Sequence, residues 1–280
     1  MRVLVTGAAG RLGTAVLAEL AEHQVTALVA EDPGPIAAER VVVGDARDPA
    51  AVRAALEGAD AVVHTAALAS PEVAAPEVVF AANTQATFTV LNEAGEHGVR
   101  RAVIASSLSI TGLPFARSPR SPEYLPLDEH VPAQIEDPYA LSKQVDEATA
   151  AMMGRRHGMT VAALRFPFLG DPARLAWRAA TLAANPAAGA ADLWSYLDLR
   201  DAARACLLGL TAALEGTPAL YVAAPETLVT SPTRELVAAH HPGVPCRAEL
   251  PGRTVAIDLE PARRLLGFTA LHPFPEELLP

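Results

Sequence analysis

The sequence has few cysteines, few aromatic residues and almost no lysine. It contains two cysteines, Cys206 and Cys246, and aromatic residues make up 5% of the 280 positions. Two widely separated cysteines form neither a disulfide framework nor a metal-ligand pattern, so we expect a reducing compartment and no bound metal. Of the 22 Lys and Arg residues only one is a lysine, Lys143.

Long apolar runs and excess positive charge are also missing. No apolar run approaches the roughly 18 residues of a membrane-spanning helix, and the first residues lead directly into a predicted strand, so we expect no targeting segment. The net charge of −10 argues against a nucleic-acid partner. We therefore expect a soluble, cytoplasmic protein that acts on a small molecule.

Strand and helix patterns alternate through the first two thirds of the chain, which predicts an α/β fold with a Rossmann-type, doubly wound parallel sheet. We expect residues 1–169 plus about 194–223 to form a nucleotide-binding domain, and about 170–193 and 224–280 to form a small substrate-binding lobe. The predicted strands span residues 3–5, 25–30, 41–43, 61–64, 101–105, 161–166, 193–197 and 219–223. The predicted helices span residues 14–20, 49–56, 76–97, 138–157, 200–214, 230–240 and 259–266.

A long loop interrupts this alternation between Ser107 and Pro138, and it contains six prolines. A loop of this length in a compact domain is usually functional or disordered. Because it follows a central strand, we expect it to form a wall or lid of the substrate pocket. A surface excursion without a role is the alternative.

The first chemical motif is a glycine-rich turn between a β-branched strand and a helix. Gly7, Gly10 and Gly13 are spaced three apart. A glycine can adopt a positive φ, let a ligand approach the backbone, or let a helix pack closely on a strand. The free N–H groups and the dipole at the helix start favour a phosphate. The turn predicts a dinucleotide site, with a purely structural turn as the alternative.

The second motif places Tyr139 and Lys143 one helical turn apart, with Ser106 and Ser107 at the end of a predicted strand. Residues four apart lie on the same face of a helix. An ammonium group next to a phenol stabilises the phenolate, which can then exchange a proton with a substrate hydroxyl or carbonyl. An ordinary amphipathic helix and serines that cap a turn are the alternatives.

Together these motifs resemble the extended short-chain dehydrogenases/reductases, the family of NAD-dependent epimerases and dehydratases. The segment from Thr6 to Gly13 is similar to the family's TGxxGxxG loop, and Tyr139 and Lys143 match its YxxxK pair. The segment from Ser106 to Gly112 resembles SSxxxYG, with Thr111 in place of the usual tyrosine.

The resemblance implies a role for each residue of the site. Ser107, Tyr139 and Lys143 would be catalytic: Lys143 binds the nicotinamide ribose, Tyr139 moves the proton and Ser107 holds the same oxygen. Asp45 would hold the adenine amine, and Asn83 would support the central sheet. The implied cofactor-binding residues are Gly7, Gly10, Arg11, Leu12, Gly13, Glu31, Asp45, Ala46, Ala66, Ala67, Asn83, Tyr139 and Lys143.

The sequence departs from the family pattern in ways that narrow the substrate. Leu108 and Ser109 follow Ser107 where the dehydratases carry an acidic pair, which argues against elimination of water. Trp194 stands where nucleotide-sugar epimerases carry a diphosphate-binding arginine, and an indole cannot make that contact. The sequence looks closer to compact members that oxidise free sugars, such as uronate dehydrogenases.

The cofactor preference depends on charges near the second strand. Glu31 and Asp32 would accept the ribose hydroxyls of NAD and repel the extra phosphate of NADP, whereas Arg11 could pair with that phosphate. The acidic residue Glu31 and the basic residue Arg11 could equally be solvated surface groups. The sequence favours NAD and leaves NADP open.

The leading hypothesis is an NAD(P)-dependent oxidoreductase that transfers hydride at a hydroxyl or keto carbon of a small, sugar-like substrate. The alternatives are an NAD-dependent nucleotide-sugar epimerase and a non-catalytic regulator that senses dinucleotides. The helices at 76–97 and 138–157 resemble those through which the family forms homodimers by a four-helix contact, so a homodimer is a further expectation.

Overall fold

The computed structural model describes residues 1–280. The strands, in chain order, are β1 (Arg2–Thr6), β2 (Gln24–Val29), β3 (Arg40–Val43), β4 (Ala61–His64), β5 (Arg101–Ser107), β6 (Thr160–Phe166), β7 (Phe168–Gly170), β8 (Tyr196–Asp198) and β9 (Ala219–Tyr221). The helices are α1 (Arg11–Glu19), α2 (Pro49–Ala55), α3 (Pro76–Glu96), α4 (Pro138–His157), α5 (Pro172–Ala184), α6 (Leu199–Thr211), α7 (Thr233–His240) and α8 (Glu260–Leu266). None of the helices combines the length and the apolar character needed to cross a membrane.

Seven strands form one parallel sheet in the order β3-β2-β1-β4-β5-β6-β9, and β7 and β8 form a separate parallel pair. The direction of strand order reverses between β1 and β4. At such a switch point the loops on either side diverge and leave a crevice at the carboxyl ends of the strands. The predicted Rossmann-type fold is confirmed, and it places the glycine-rich turn at this crevice.

The sheet has a hydrophobic core on each face, as the alternating side chains of β1 require. Val3 and Val5 point into a core that α1, α6 and α8 complete. Leu4 points into the opposite core, which α2, α3 and α4 complete. A strand that is buried on both faces is apolar throughout, which explains the unbroken run of apolar residues from Val3 to Val5.

A third core lies beyond the carboxyl end of the sheet and includes Trp194, Tyr196 and Tyr221. The second half of the long loop is bound to this region: Leu125 N–H donates to the Pro245 carbonyl at 2.9 Å. Leu127 and Ile257 are also paired as a β-bridge. The loop is therefore ordered by its contacts with the C-terminal region. The division into a nucleotide-binding domain and a small lobe stays a prediction.

The region from 168 to 198 differs most from the expected elements. The predicted strand at 193–197 begins only at Tyr196, because Leu193 and Trp194 have φ values of 55° and 54° and form a left-handed turn. Strand β7 and helix α5 were not predicted. Helix α5 nevertheless has a recognisable start, since the Asp171 side chain accepts from Arg174 N–H and a proline opens the helix.

Candidate active site

The glycine-rich turn joins β1 to α1 and is tightly packed at two of its three glycines. Gly7 has φ +66°, and a Cβ there would lie 2.6 Å from the Ala66 nitrogen. A Cβ on Gly13 would lie 2.2 Å from the Gly7 carbonyl oxygen. Gly10 differs, because a Cβ there would approach only the Gly7 oxygen, at 3.1 Å. Gly7 and Gly13 thus secure the packing of strand and helix, and Gly10 leaves the loop backbone open to a ligand.

The start of α1 lacks any anionic partner from the protein itself. Gly10 is the N-cap residue and has no side chain, and the first turn holds no acidic residue. The first N–H groups of a helix have no acceptor within the helix. Arg11 adds a side-chain positive charge at the same place. This helix start is therefore suited to bind a phosphate group.

A cavity of about 480 Å³ lies at the carboxyl end of the sheet, in front of the start of α1. It brings together nine of the predicted site residues. These are Gly7, Gly10, Arg11, Leu12, Gly13, Ala67, Ser107, Tyr139 and Lys143. From the long loop, Pro114 and Phe115 contribute part of the wall. The other five predicted residues, Glu31, Asp45, Ala46, Ala66 and Asn83, do not line this cavity.

The two serines at the end of β5 have different hydrogen bonds. Ser106 donates to Glu147 Oε1 at 2.6 Å, and Glu147 is in turn held by Arg165, whose Nη2 lies 2.8 Å from its Oε2. Ser107 Oγ accepts from the Ser109 N–H at 3.0 Å, so its own hydroxyl proton remains free. Ser106 is thus committed to a structural network, and Ser107 is able to donate to a ligand in the cavity.

Lys143 is almost completely buried, with 3% of its surface exposed. Its Nζ donates to the Ala105 carbonyl at 2.9 Å and to Asp146 Oδ2 at 3.1 Å. The same atom lies 5.9 Å from the centre of the Tyr139 ring, which packs edge-on against Phe115. Burial acts to lower the pKa of Lys143, but the attraction of Asp146 and of the other acidic groups nearby together exceeds this effect and the pKa is raised. Lys143 is therefore an ammonium group with one N–H to spare.

Asn83 lies behind the cavity and supports it. Its Oδ1 accepts from Leu68 N–H at 2.8 Å, and its Nδ2 donates to the Leu68 carbonyl at 3.1 Å and to Ser142 Oγ at 3.0 Å. These bonds connect α3 to the segment after β4 and to α4. Asn83 is therefore placed to hold the chain around the site.

Asp45 and Glu31, the two residues predicted to contact the adenosine part of a cofactor, lie on the surface outside the cavity. Asp45 is held by Arg47, whose Nε lies 2.9 Å from Oδ2 and whose N–H lies 2.8 Å from Oδ1. The hydrogen bond from Arg47 lowers the pKa of Asp45. Glu31 is exposed just after β2, and Ala46 is buried beneath the surface. The role of each toward a cofactor stays a prediction.

Sequence reasoning missed two charged residues of the cavity, Arg174 and Asp192. Arg174 donates from Nε to the Leu169 carbonyl at 3.1 Å and lies over the Phe168 ring, and no carboxylate lies within 4 Å of it. Burial lowers its pKa and the nearby positive charge of Arg11 acts in the same direction. The capped start of α5, one turn away, was the signal that could have identified Arg174.

Both carboxylate oxygens of Asp192 accept hydrogen bonds from the protein itself. Its Oδ2 accepts from Arg178 Nη2 at 2.7 Å, and its Oδ1 accepts from the Trp194 N–H at 3.2 Å. Burial raises the pKa of Asp192 to about 6. Trp194 itself is 0% exposed and donates from its indole to the Pro186 carbonyl, so it is a core residue and does not face the cavity.

The residues present fit a dinucleotide with a nicotinamide ring. The glycine loop excludes side chains where a pyrophosphate would lie against the start of α1. Lys143 has an unused N–H, and Ser107 and Tyr139 share its cavity. The same cavity contains Arg174, which is not used by any protein carboxylate.

The chain belongs to the NAD dependent epimerase/dehydratase family, whose model matches residues 3–224. It is 33% identical over 169 residues to a uronate dehydrogenase of Pseudomonas putida, covering 59% of each chain. It is 32% identical over 174 residues to an L-arabinose 1-dehydrogenase (NAD(P)(+)) of Haloferax volcanii, covering 60% of this chain and 67% of that one. The match to the first of these curated relatives therefore spans about six tenths of the relative's length.

Two solved structures are similar in fold, one over the whole chain and one over 80% of it. A short-chain dehydrogenase/reductase superfamily protein from Agrobacterium tumefaciens with bound NAD is similar with a TM-score of 0.74 and 26% identity, covering 100% of this chain and 95% of that one. A mutated uronate dehydrogenase is similar with a TM-score of 0.62 and 26% identity, covering 80% of this chain and 74% of that one.

Proposed function

We propose that this chain is an NAD-dependent dehydrogenase that oxidises a small sugar acid at a hydroxyl-bearing carbon. The observation that carries the proposal is the unpaired guanidinium of Arg174 in the same cavity as Ser107, Tyr139 and Lys143. A guanidinium without a protein carboxylate is suited to a bidentate contact with an anionic ligand. The similarity to a uronate dehydrogenase supports the same substrate class.

Each residue of the site has a role that its geometry allows. Tyr139 takes the proton from the substrate hydroxyl, and Ser107 donates its free hydroxyl proton to the same oxygen and orients it. Lys143 binds the nicotinamide ribose through its unused N–H and keeps a positive charge beside Tyr139. When bound, the nicotinamide supplies the hydride acceptor. Arg174 holds the carboxylate and so determines which carbon faces the reacting groups.

The cofactor is NAD in this proposal, because Glu31 lies two residues after the end of β2, where an acid would accept ribose hydroxyls and repel a 2′-phosphate. Glu31→Ala tests this choice by the ratio of kcat/KM with NAD to kcat/KM with NADP. We expect the ratio to fall about tenfold, since one charge-assisted hydrogen bond contributes about 1.5 kcal/mol. An unchanged ratio would assign the discrimination to other residues.

The substrate class is tested with uronic acids, neutral aldoses and nucleotide sugars, by the absorbance of reduced nicotinamide. We expect steady reduction with a uronic acid and an Arg174→Gln variant whose KM for it is about 10–100-fold higher. The neutral aldose is the matched control, because its KM should not respond to Arg174. If the Kd of NAD rises in place of the KM, Arg174 contacts the cofactor and the substrate assignment is wrong.

The same assay separates the other two functions. An epimerase would release an isomerised nucleotide sugar without net reduction of NAD. A non-catalytic sensor would bind NAD without turnover of any substrate, and Tyr139→Phe would leave its biological function intact. Trp194 favours the dehydrogenase, because it stands where a nucleotide-sugar epimerase would need an arginine for the diphosphate. The tryptophan is also fully buried, so its side chain offers no contact to such a group.

We also propose a homodimer through α3 and α4. These helices pack against each other and leave three large apolar side chains exposed, with Val78 and Phe88 each 46% exposed and Leu141 41% exposed. A second copy would cover these side chains by a four-helix contact. Analytical ultracentrifugation should show a dimer, and Phe88→Glu combined with Leu141→Glu should show a monomer. A monomer of the unaltered chain would contradict the proposal.

A further inference from the structure

A buried carboxyl group lies next to Lys143, and the roles given above do not use it. Asp146 follows Lys143 by one turn of α4 and is 1% exposed. Its Oδ2 accepts from Lys143 Nζ at 3.1 Å, whereas its Oδ1 is closed to solvent and has no hydrogen-bond partner. A buried carboxyl with one unpaired oxygen is costly to keep in a protein interior. The group therefore calls for a functional explanation.

The polar groups around Asp146 come from several elements. His64 on β4 is hydrogen-bonded to Thr6 Oγ1 at 2.7 Å and to Thr87 Oγ1 at 3.1 Å. The Thr87 hydroxyl, on α3, also faces Asp146. Burial lowers the pKa of His64 to about 3, with Lys143 adding to the effect, so this histidine is neutral. Neither α3 nor β4 therefore offers a charge that competes with Asp146 for Lys143.

The remaining charged neighbours are Glu147 on α4 and Arg165 on β6. Glu147 forms two hydrogen bonds with Arg165, at 2.9 and 2.8 Å, and a third with Ser106. Its charge is thus balanced by a guanidinium. Asp146 is the one carboxyl in contact with Lys143, and it has no other cation within 4 Å.

This geometry has a direct electrostatic consequence for Tyr139. The ammonium of Lys143 favours the phenolate of a tyrosine whose ring centre is 5.9 Å away. A carboxylate 3.1 Å from that ammonium offsets part of its field at the phenol. The negative charge of Asp146 and the reactivity of Tyr139 are coupled through Lys143.

We propose that Asp146 is a positioning residue that holds the Lys143 ammonium in place and sets, by its charge, the pH at which Tyr139 becomes a base. The role in catalysis rests on the proposed dehydrogenase function. The electrostatic coupling itself is a property of the protein alone and can be measured without substrate or cofactor.

Asp146→Asn is the decisive variant, because its amide oxygen can still accept from Lys143 while the charge is removed. Phenolate formation is followed by near-ultraviolet absorbance in the protein without cofactor. The other three tyrosines ionise late: burial raises the pKa of Tyr221 to about 12 and that of Tyr196 in the same direction, and a hydrogen bond to Asp128 raises that of Tyr124. Tyr139→Phe identifies the step that belongs to Tyr139.

We expect the Tyr139 step to move to lower pH by about one unit in Asp146→Asn. Glu93→Gln is the matched control, since it removes a carboxylate from α3 that pairs with Arg53, away from the site, and it should leave the step in place. With a sugar acid and NAD, the acid limb of the kcat/KM profile should move in the same direction as the absorbance step.

A lower melting temperature of Asp146→Asn with an unmoved absorbance step would overturn the proposal and assign Asp146 a structural role only. If Asp146→Asn does not fold, Asp146→Ala removes both the charge and the hydrogen bond to Lys143, and an absorbance step that stays in place in that variant would equally overturn the proposal. Absence of turnover with every sugar would overturn the proposed function, and the titration would still decide whether Asp146 and Tyr139 are coupled.

Discussion

Replacing Lys143 by methionine should destabilise the protein through the charge that it leaves behind. Lys143→Met keeps much of the side-chain volume but removes the only cation that contacts Asp146. Breaking a buried ion pair from one side costs about 3–5 kcal/mol. For a chain of this size each kcal/mol corresponds to about 2 °C in melting temperature, so we expect a loss of about 6–10 °C.

The pH dependence identifies the cause. Burial already raises the pKa of Asp146 against the attraction of Lys143, and removal of Lys143 raises it further. The folded variant then holds a proton that the unfolded chain releases near pH 4. Its free energy of unfolding therefore falls as the pH rises from about 4 through the pKa of the folded state, and stays low above it. The melting-temperature difference from the unaltered protein should be small at pH 4 and large at pH 8.

The double variant Lys143→Met with Asp146→Asn is the control, because it removes both charges and should recover most of the lost stability. Calorimetry or urea unfolding at several pH values measures all three proteins. A loss in Lys143→Met that is equal at every pH, or a double variant no more stable than the single one, would refute the charge argument and indicate a packing defect.

Three other variants test separate parts of the structure. Gly13→Ala should lower the free energy of unfolding by about 3 kcal/mol or prevent folding, because its Cβ would lie 2.2 Å from the Gly7 carbonyl oxygen. Gly10→Ala should keep its melting temperature and weaken NAD binding about tenfold, as measured by calorimetry. The raised pKa of Asp192 should make the free energy of unfolding of the unaltered protein fall by about 1–2 kcal/mol between about pH 4 and 6. Asp192→Asn should remove this fall, and a variant with an unchanged slope would contradict the assignment. Asn83→Ala should lower the unfolding free energy by about 2 kcal/mol, since it removes three hydrogen bonds to neighbouring segments, and a neutral result would show that water replaces them.

The sheet and its first helices were predictable because local patterns determine them. The β-branched runs at β1, β2 and β4 and the proline-opened helix α4 carry their own start and stop signals, and the expected range 138–157 is confirmed. The glycine spacing was similarly informative, since Gly7 and Gly13 pack directly on neighbouring backbone. Short-range sequence information was sufficient for this half of the molecule.

The rest depended on contacts that the sequence does not display. Arg174 faces the cavity because α5 folds back over the crevice, and no periodic pattern indicates that packing. Asp146 could be recognised as an i,i+3 partner of Lys143, but its burial depends on α3 and β4. The left-handed backbone at Leu193 and Trp194 is rare for large side chains, so propensity favoured a strand there.

Because Lys143 is the single lysine of the chain, its chemical labelling reports directly on access to the site. An amine-reactive reagent finds one side-chain amine, and that amine is 3% exposed and bonded to Ala105 and Asp146. Because Lys143 lines the cavity, a reagent reaches its amine by entering that cavity. The rate at which label accumulates at this residue, read by mass spectrometry of one peptide, therefore measures access to the cavity, and any ligand that fills the cavity should slow the labelling.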